Sequence, residues 1–182
     1  MTKPISNLAG SIDGLQSAIP IIGEFLPQVF RAQPGGGWLE EPGRGWIRNQ
    51  LTASGLNRIA NRAVQATGTT PFYILGVGTL TAAASLDSVN FGEVANGRKA
   101  SISTGATAQS REWLFMTATW AGNADSVTSL ALDSGAILCH ASSGVGVVAN
   151  IVNGMGVTLA ASDYLFLTAR IRVGSHDLSH TT

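Results

Sequence analysis

The sequence predicts a mainly β protein: an antiparallel β-sandwich or jelly-roll-like body, led by one short helix and preceded by an N-terminal arm. Three observations predict it. All six prolines lie at or before Pro71 and none after it, which separates a proline-punctuated beginning from a longer, uninterrupted remainder. After Pro71 the apolar period becomes two, most clearly in "DYLFLTARIRV". There Leu165, Leu167, Ala169, Ile171 and Val173 take one face, and Tyr164, Phe166, Thr168, Arg170 and Arg172 the other. Finally, short apolar runs alternate with Gly and Asx clusters such as "WAGNADS", "LDSGA" and "VNGMG", with no helical pattern between them. Short strands at that spacing make a sandwich rather than a parallel α/β sheet.

Taken in chain order, residues 1–45 read as the arm. Ile5, Leu8, Ile12, Leu15, Ile19, Ile22, Leu26 and Val29 repeat with the 3,4 spacing of a heptad seam. Pro20 and Pro27 each cost a helix interior about 3 kcal/mol, so the seam predicts two short helices, 4–18 and 20–30, with Pro20 in the first turn of the second. Their apolar stripe needs a partner surface, which makes Ile12, Leu15, Ile19, Ile22 and Leu26 candidate interface residues. The stretch "QPGGGWLEEPGRG" (33–45) is a glycine-rich loop around Trp38, a side chain costly to leave in water. The body spans 46–174 and opens with a helix over 52–67. Thr52 or Ser54 is its cap, Gly68 its stop, and Leu56, Ile59, Ala60 and Ala63 its apolar stripe. Strands are expected near 72–79, 98–104, 111–120, 127–132, 136–141, 145–152, 156–161 and 164–173, the one at 111–120 covered on both sides. Residues 175–182 form a polar tail.

Composition bounds the function. Across 182 residues only 12% are charged, the formal net charge is zero, and arginines outnumber lysines nine to two. So little charge implies that part of the surface is buried against other chains. A neutral chain lacks the cationic excess of a general nucleic-acid binder. The single cysteine, Cys139, excludes an intrachain disulfide and a cysteine zinc cluster. The apolar run from Ala18 to Phe30 is interrupted by Pro20, Glu24 and Pro27, so no membrane span is expected.

The chemical motifs are weak. Gly76-Val77-Gly78-Thr79 lacks the third glycine of a dinucleotide loop and the Gly-Lys-Ser/Thr of a Walker loop, and reads instead as a strand end. Cys139 and His140 are adjacent on a strand and diverge. His176 and His180 have metal-compatible i, i+4 spacing, but at the C-terminal end beside Asp177 alone. No G-x-S-x-G elbow occurs, and the carboxylates are scattered apart from Glu40-Glu41. No enzymatic activity, cofactor or metal is expected. Arg44, Arg48, Arg58 and Arg62 surround Trp46 in the one basic concentration; with a neutral chain this favours interchain ion pairs and Trp anchoring over nucleic acid. Trp38, Trp46, Arg44 and Arg48 therefore join the candidate interface.

The segments "WIRNQLTASGLNRIANRAV" and "YILGVGTLTAAASLDSVNFGEVANGRKAS" resemble a group of β-sandwich virion proteins of tailed bacteriophages. In these a helix with the pattern N-x-[IL]-T-x-x-G-L precedes a strand ending GxGT-x-x-A, then a glutamate turn into an arginine-bearing strand. The matching residues are Asn49, Leu51, Thr52, Gly55 and Leu56, then Gly76, Gly78, Thr79, Ala82, Ala83, Asp87 and Glu93. "MTATWAGN" and "LAASDYLFLTARIRV" are similar to the group's last strands, so the resemblance spans roughly 46–174. The sequence departs from the group in "SLALDSGAIL", where relatives carry a glutamate before the glycine. The resemblance implies a virion location and a structural role: capsid decoration (cement) protein, or alternatively a tail adaptor or fibre-base protein. It also implies a homo-oligomer, with a trimer favoured, and the major capsid protein or other virion proteins as partners. A third reading, independent of the resemblance, is a carbohydrate-binding sandwich using Tyr164 and Phe166 on the face opposite the core.

Overall fold

A computed structural model of the protein describes residues 21–63, 72–81, 90–107, 112–142 and 148–173. The described residues form ten strands and one helix: β1 (Ile21–Ala32), β2 (Trp38–Glu40), β3 (Ile47–Leu51), α1 (Ala53–Ala63), β4 (Ile74–Gly78), β5 (Glu93–Ala100), β6 (Ser103–Thr107), β7 (Glu112–Ala121), β8 (Leu132–Leu138), β9 (Val148–Val157) and β10 (Tyr164–Val173). All the strand pairs are antiparallel, and they make the expected sandwich. Sheet A runs β1-β10-β7-β6, with β2 and β3 sharing the other side of β1; sheet B runs β5-β4-β8-β9-β3. β3 joins the two, because Ile47–Asn49 pair with β1 and Gln50–Leu51 with β9.

The alternation in the sequence becomes the core. Leu165, Leu167, Ala169 and Ile171 of β10 are fully buried between the sheets, with Phe25, Met116, Trp120, Leu132, Ile137, Val152 and Met155. At about 25 cal/mol per Å² of apolar surface removed from water, this layer is the main source of stability. β7 meets the expectation of two covered sides only in part. Met116, Ala118 and Trp120 are buried, whereas Phe115 and Thr119, which point the other way, are half-exposed.

The helix expected at 20–30 is not formed over the described residues: 21–30 belong to β1. The seam spacing would place Ile22, Leu26 and Val29 on one side. The strand instead sends Phe25 and Val29 into the core and Ile22, Leu26 and Phe30 to the outer face. The physical reason is long-range. β1 pairs with β10 from Ile21↔Val173 to Phe30↔Tyr164, and no local pattern reports that partner. Pro27 is compatible with this strand. It stands between the positions paired with β3 (23–25) and with β2 (30–32), so no ladder on that side is interrupted. The arm boundary expected at residue 45 moves accordingly, since residues 21–45 belong to the sandwich. The helix expected at 4–18, with Ile12, Leu15 and Ile19, lies outside the described residues, as do residues 64–71, His176, His180 and the tail.

Smaller corrections concern strand ends. The strands expected at 145–152 and 156–161 are largely one, β9, which continues through Gly154 and Gly156, both at positive φ. The strand expected at 98–104 falls on the junction of β5 and β6. Residues 127–131 form no strand, only the bridge Thr128↔Leu159. Helix α1 is capped by Thr52, whose Oγ1 accepts a hydrogen bond from Gly55 N at 2.9 Å and donates to Val148 O. Of the predicted stripe Ile59 packs on the core, whereas Leu56 and Ala60 are exposed; Thr52 and Gly55 are the buried positions beside it. Gly55 makes that approach possible: a Cβ there would lie 2.2 Å from Ala149 O.

Candidate binding surface

Alternation along β1 and β10 carries a second set of residues to the outer face of sheet A, where cross-strand pairing arranges them in rows. At one end stand Glu40, Phe30 and Tyr164, then Gln28, Phe166 and Thr119, then Leu26, Thr168 and Thr117. At the other end stand Arg48, Glu24, Arg170 and Phe115, followed by Ile22 and Arg172. The face therefore grades from aromatic to ionic within five rows.

At the ionic end Glu24 is 2% exposed although it lies on the outer face. Arg170 Nε donates to Glu24 Oε2 at 2.8 Å and Arg172 Nη1 approaches the same oxygen at 3.9 Å. The Arg170 guanidinium also lies over the Trp46 ring, 3.7 Å from its centroid, a close cation–π contact.

At the aromatic end Phe30, Trp38, Tyr164, Phe166 and Thr119 line a shallow depression of ≈ 250 Å³. Trp38 arrives on β2, and its ring stands edge-on to Tyr164, with centroids 5.3 Å apart and an interplanar angle of 79°. Trp38 Nε1 donates to Ser162 O at 3.2 Å, which fixes the indole while leaving it 58% exposed. Its neighbour Leu39 is 63% exposed.

A clasp of charges behind this wall holds the glycine-rich loop to the sandwich. Arg31 bonds Glu41 Oε2 through Nη2 at 2.5 Å and Nε at 2.9 Å, and through Nη1 it bonds Asp163 Oδ2 and Thr158 O, both at 2.7 Å. Asp163 also accepts from Ala32 N at 3.1 Å and Ala160 N at 2.8 Å. Arg44 reaches Met155 O at 2.6 Å and Glu41 at 3.5 Å. The Arg31 hydrogen bond holds the Glu41 carboxyl below its usual range, against a smaller desolvation effect. Burial pushes the Asp163 carboxyl up, but hydrogen bonds from Ala160 N, Arg31 and Ala32 N together outweigh it and lower its pKa. Arg31 is raised, chiefly by its hydrogen bond to Asp163.

Of the candidate interface residues, Ile22, Leu26, Trp38, Trp46 and Arg48 all fall on the outer face of sheet A. The structure separates the basic group: Arg44 belongs to the clasp, Arg48 to the ionic end, and Arg58 lies 5.8 Å from the Phe72 ring centroid. The reading from sequence missed Phe30, Arg31 and Asp163, because none of them stands near its partners in the chain.

The motif residues have structural duties elsewhere. Gly78 lies against a neighbouring loop, where a Cβ would sit 2.1 Å from Phe91 O; at Gly76 it would meet Phe91 and Leu138 at 2.8 Å. Glu93 holds Arg98 in a two-pronged pair at 2.7 and 2.9 Å, and Arg98 Nη1 reaches His140 O at 2.7 Å. Ser134 is buried; its Oγ donates to Phe91 O and accepts from Leu80 N. Cys139 is buried and His140 exposed, so their side chains do diverge. Among the described residues no group of three His, Cys, Asp or Glu side chains could hold a metal, and no described helix is long and apolar enough to cross a membrane. In comparisons with known proteins, no family model, curated protein or solved structure matches the chain.

Proposed function

We propose that this chain is a non-enzymatic structural component of a tailed-bacteriophage virion, a capsid decoration (cement) protein that assembles on the head as a homo-oligomer, with a trimer favoured. The observation that carries the reading is what the resembling residues do. Thr52 caps α1 and ties it to β9, Gly55 admits the helix to the Ala149 backbone, and Gly78 admits the Phe91 loop. Glu93, the motif's glutamate, opens β5 and holds Arg98 further along the same strand. The resemblance thus lies in how the sandwich is built, and a shared construction is what a structural family would preserve. Exposed Trp38, Leu39 and Ile102 add surface suited to partner contact.

The mechanism is burial rather than chemistry. Apolar area removed from water contributes about 25 cal/mol per Å², and every copy on a shell repeats it. Because residues 21–30 and 38–40 pair within sheet A, residues 1–20 are the part of the arm we assign to attachment. The test is to add purified chain to expanded empty heads and record their melting temperature, which should rise. A chain lacking residues 1–20 should stay folded and lose this effect. Attachment to tails alone would instead identify the adaptor or fibre-base role, and no attachment to either would refute the virion reading.

A further inference from the structure

The depression at the aromatic end of sheet A has a chemistry of its own, independent of the virion reading. Its floor and walls are the rings of Phe30, Trp38, Tyr164 and Phe166, with Thr119 beside them. At ≈ 250 Å³ it falls below the roughly 300–1,000 Å³ of sites for drug-sized ligands, so it accommodates about one ring-sized unit. The charged groups around it are already engaged with one another. Glu40 accepts from Gln28 Nε2 at 2.9 Å, and Arg31 is shared between Glu41 and Asp163. An anionic ligand would gain nothing here to offset its desolvation.

Two kinds of peptide ligand are disfavoured by the same geometry. The depression lies over a sheet face, where the backbone is already paired in ladders, so strand addition does not reach it. A proline-rich peptide docked on aromatic rings needs donors for its carbonyls, and the indole N–H that would serve is bonded to Ser162 O. What fits is a neutral ring with an apolar flat side and hydrogen-bonding edges. The perpendicular Trp38 and Tyr164 rings give such a ring a corner to pack into. Thr119 lines the depression, and the hydrogen-bonded Gln28 and Glu40 flank Phe30 on the same sheet face, beside where the ligand ring's edges would be.

We propose that the outer face of sheet A carries a saccharide subsite, in which one neutral hexopyranose unit of a glycan packs its C–H face against Trp38, Tyr164 and Phe166 and directs its hydroxyls toward Thr119, Gln28 and Glu40. The subsite binds a single ring weakly, and oligomerisation multiplies it into useful avidity.

The test titrates the full chain with cellotetraose and with maltotetraose, two neutral oligosaccharides of different linkage, following chemical shifts and tryptophan fluorescence. Saturable binding of at least one is expected, weakened about tenfold or more in Trp38→Ala and in Phe166→Ala. Leu39→Ser, on the same strand as Trp38, should bind as the parent does. Circular dichroism confirms that each variant is folded, and the conservative Phe166→Tyr should retain binding, which separates loss of the platform from loss of structure. Absence of binding to both sugars at millimolar concentration overturns the proposal, as does binding undiminished in folded Trp38→Ala. Dissociation of an oligomer by Trp38→Ala without any sugar binding would also overturn it, and would assign the face to a second copy of the chain.

Discussion

On the outer face of sheet B, Ile74, Ala136, Leu138 and Ile151 lie beneath Phe91, and together they form a second, fully desolvated apolar cluster. On the outer face of sheet A, Phe30, Tyr164 and Phe166 are only half-buried, and exposed Trp38 is the one ring set against them from β2. The difference comes from the connections. The residues that follow β4 and precede β5 are pinned to sheet B: Thr79 N donates to Gly92 O at 2.9 Å, Asn153 Nδ2 to Leu80 O at 2.7 Å, and Ser134 Oγ to Phe91 O. The connection from β1 to β2 is shorter and glycine-rich, and it closes on itself as a turn, Gln33 N donating to Gly37 O and Gly36 N to Gln33 O. Among the described residues, one face is thus covered by the chain itself and the other is not.

The largest effect should come from uncovering sheet B. Phe91→Ala removes the ring that seals the second cluster and exposes Leu138 and Ile151, with a destabilisation of about 3–5 kcal/mol. Chemical denaturation followed by fluorescence measures it, and a change below about 1 kcal/mol would show that the loop is not a structural cover. Gly78→Ala attacks the same contact from the strand. The added Cβ collides with the Phe91 and Gly92 carbonyl groups, which are backbone and cannot swing aside. A cost of about 1–3 kcal/mol is expected. Double substitution should cost less than the sum, because once Phe91 is gone the loop is free to move.

How much of this contrast was legible in the sequence follows from the range of the interactions. The β10 alternation and the Thr52 cap are encoded within a few residues, and both are found where the sequence places them. The apolar spacing of β1 satisfies a heptad as well as a strand, and only β10, more than 130 positions away, decides between them. Gly76 and Gly78 read from the sequence as strand-end positions, but the residue they make room for is Phe91, more than ten positions further along the chain. The aromatic depression was half legible. Tyr164 and Phe166 share a strand face and were nominated for carbohydrate, whereas Phe30 and Trp38 join them only through pairing of β1 with β10 and β2.

The clasp on sheet A should have a smaller effect, and one that depends on pH. Glu41 and Asp163 both have folded pKa values below their usual ones. Their contribution is therefore complete above the unfolded carboxyl values of about 4 and is lost as pH falls through the lower folded values. Arg31→Met removes the shared partner and should cost about 1 kcal/mol at pH 7, since Arg31 is about one-third exposed. Protonated carboxyls no longer gain from the arginine, so the gap between parent and variant should close in acid. A gap that stays constant from pH 7 to pH 2 would mean that Arg31 acts through packing.

The smallest intrinsic effect, and the one that speaks most directly to the open face, belongs to Leu39 and Ile102. They are 63% and 69% exposed, so in a dilute, isolated chain Leu39→Ser and Ile102→Ser should each change stability by no more than about 0.5 kcal/mol. Ile102 precedes β6 at the far edge of sheet A, and Leu39 lies on β2 at the opposite side. If copies assemble through either edge, the corresponding substitution should lower the melting temperature at high protein concentration while leaving it unchanged at low concentration, because only the associated state buries the side chain. Sedimentation velocity on the same samples gives the oligomer present. A concentration-independent result for both residues would place the assembly contacts elsewhere on the molecule, and would leave the aromatic face between these edges open to a soluble ligand.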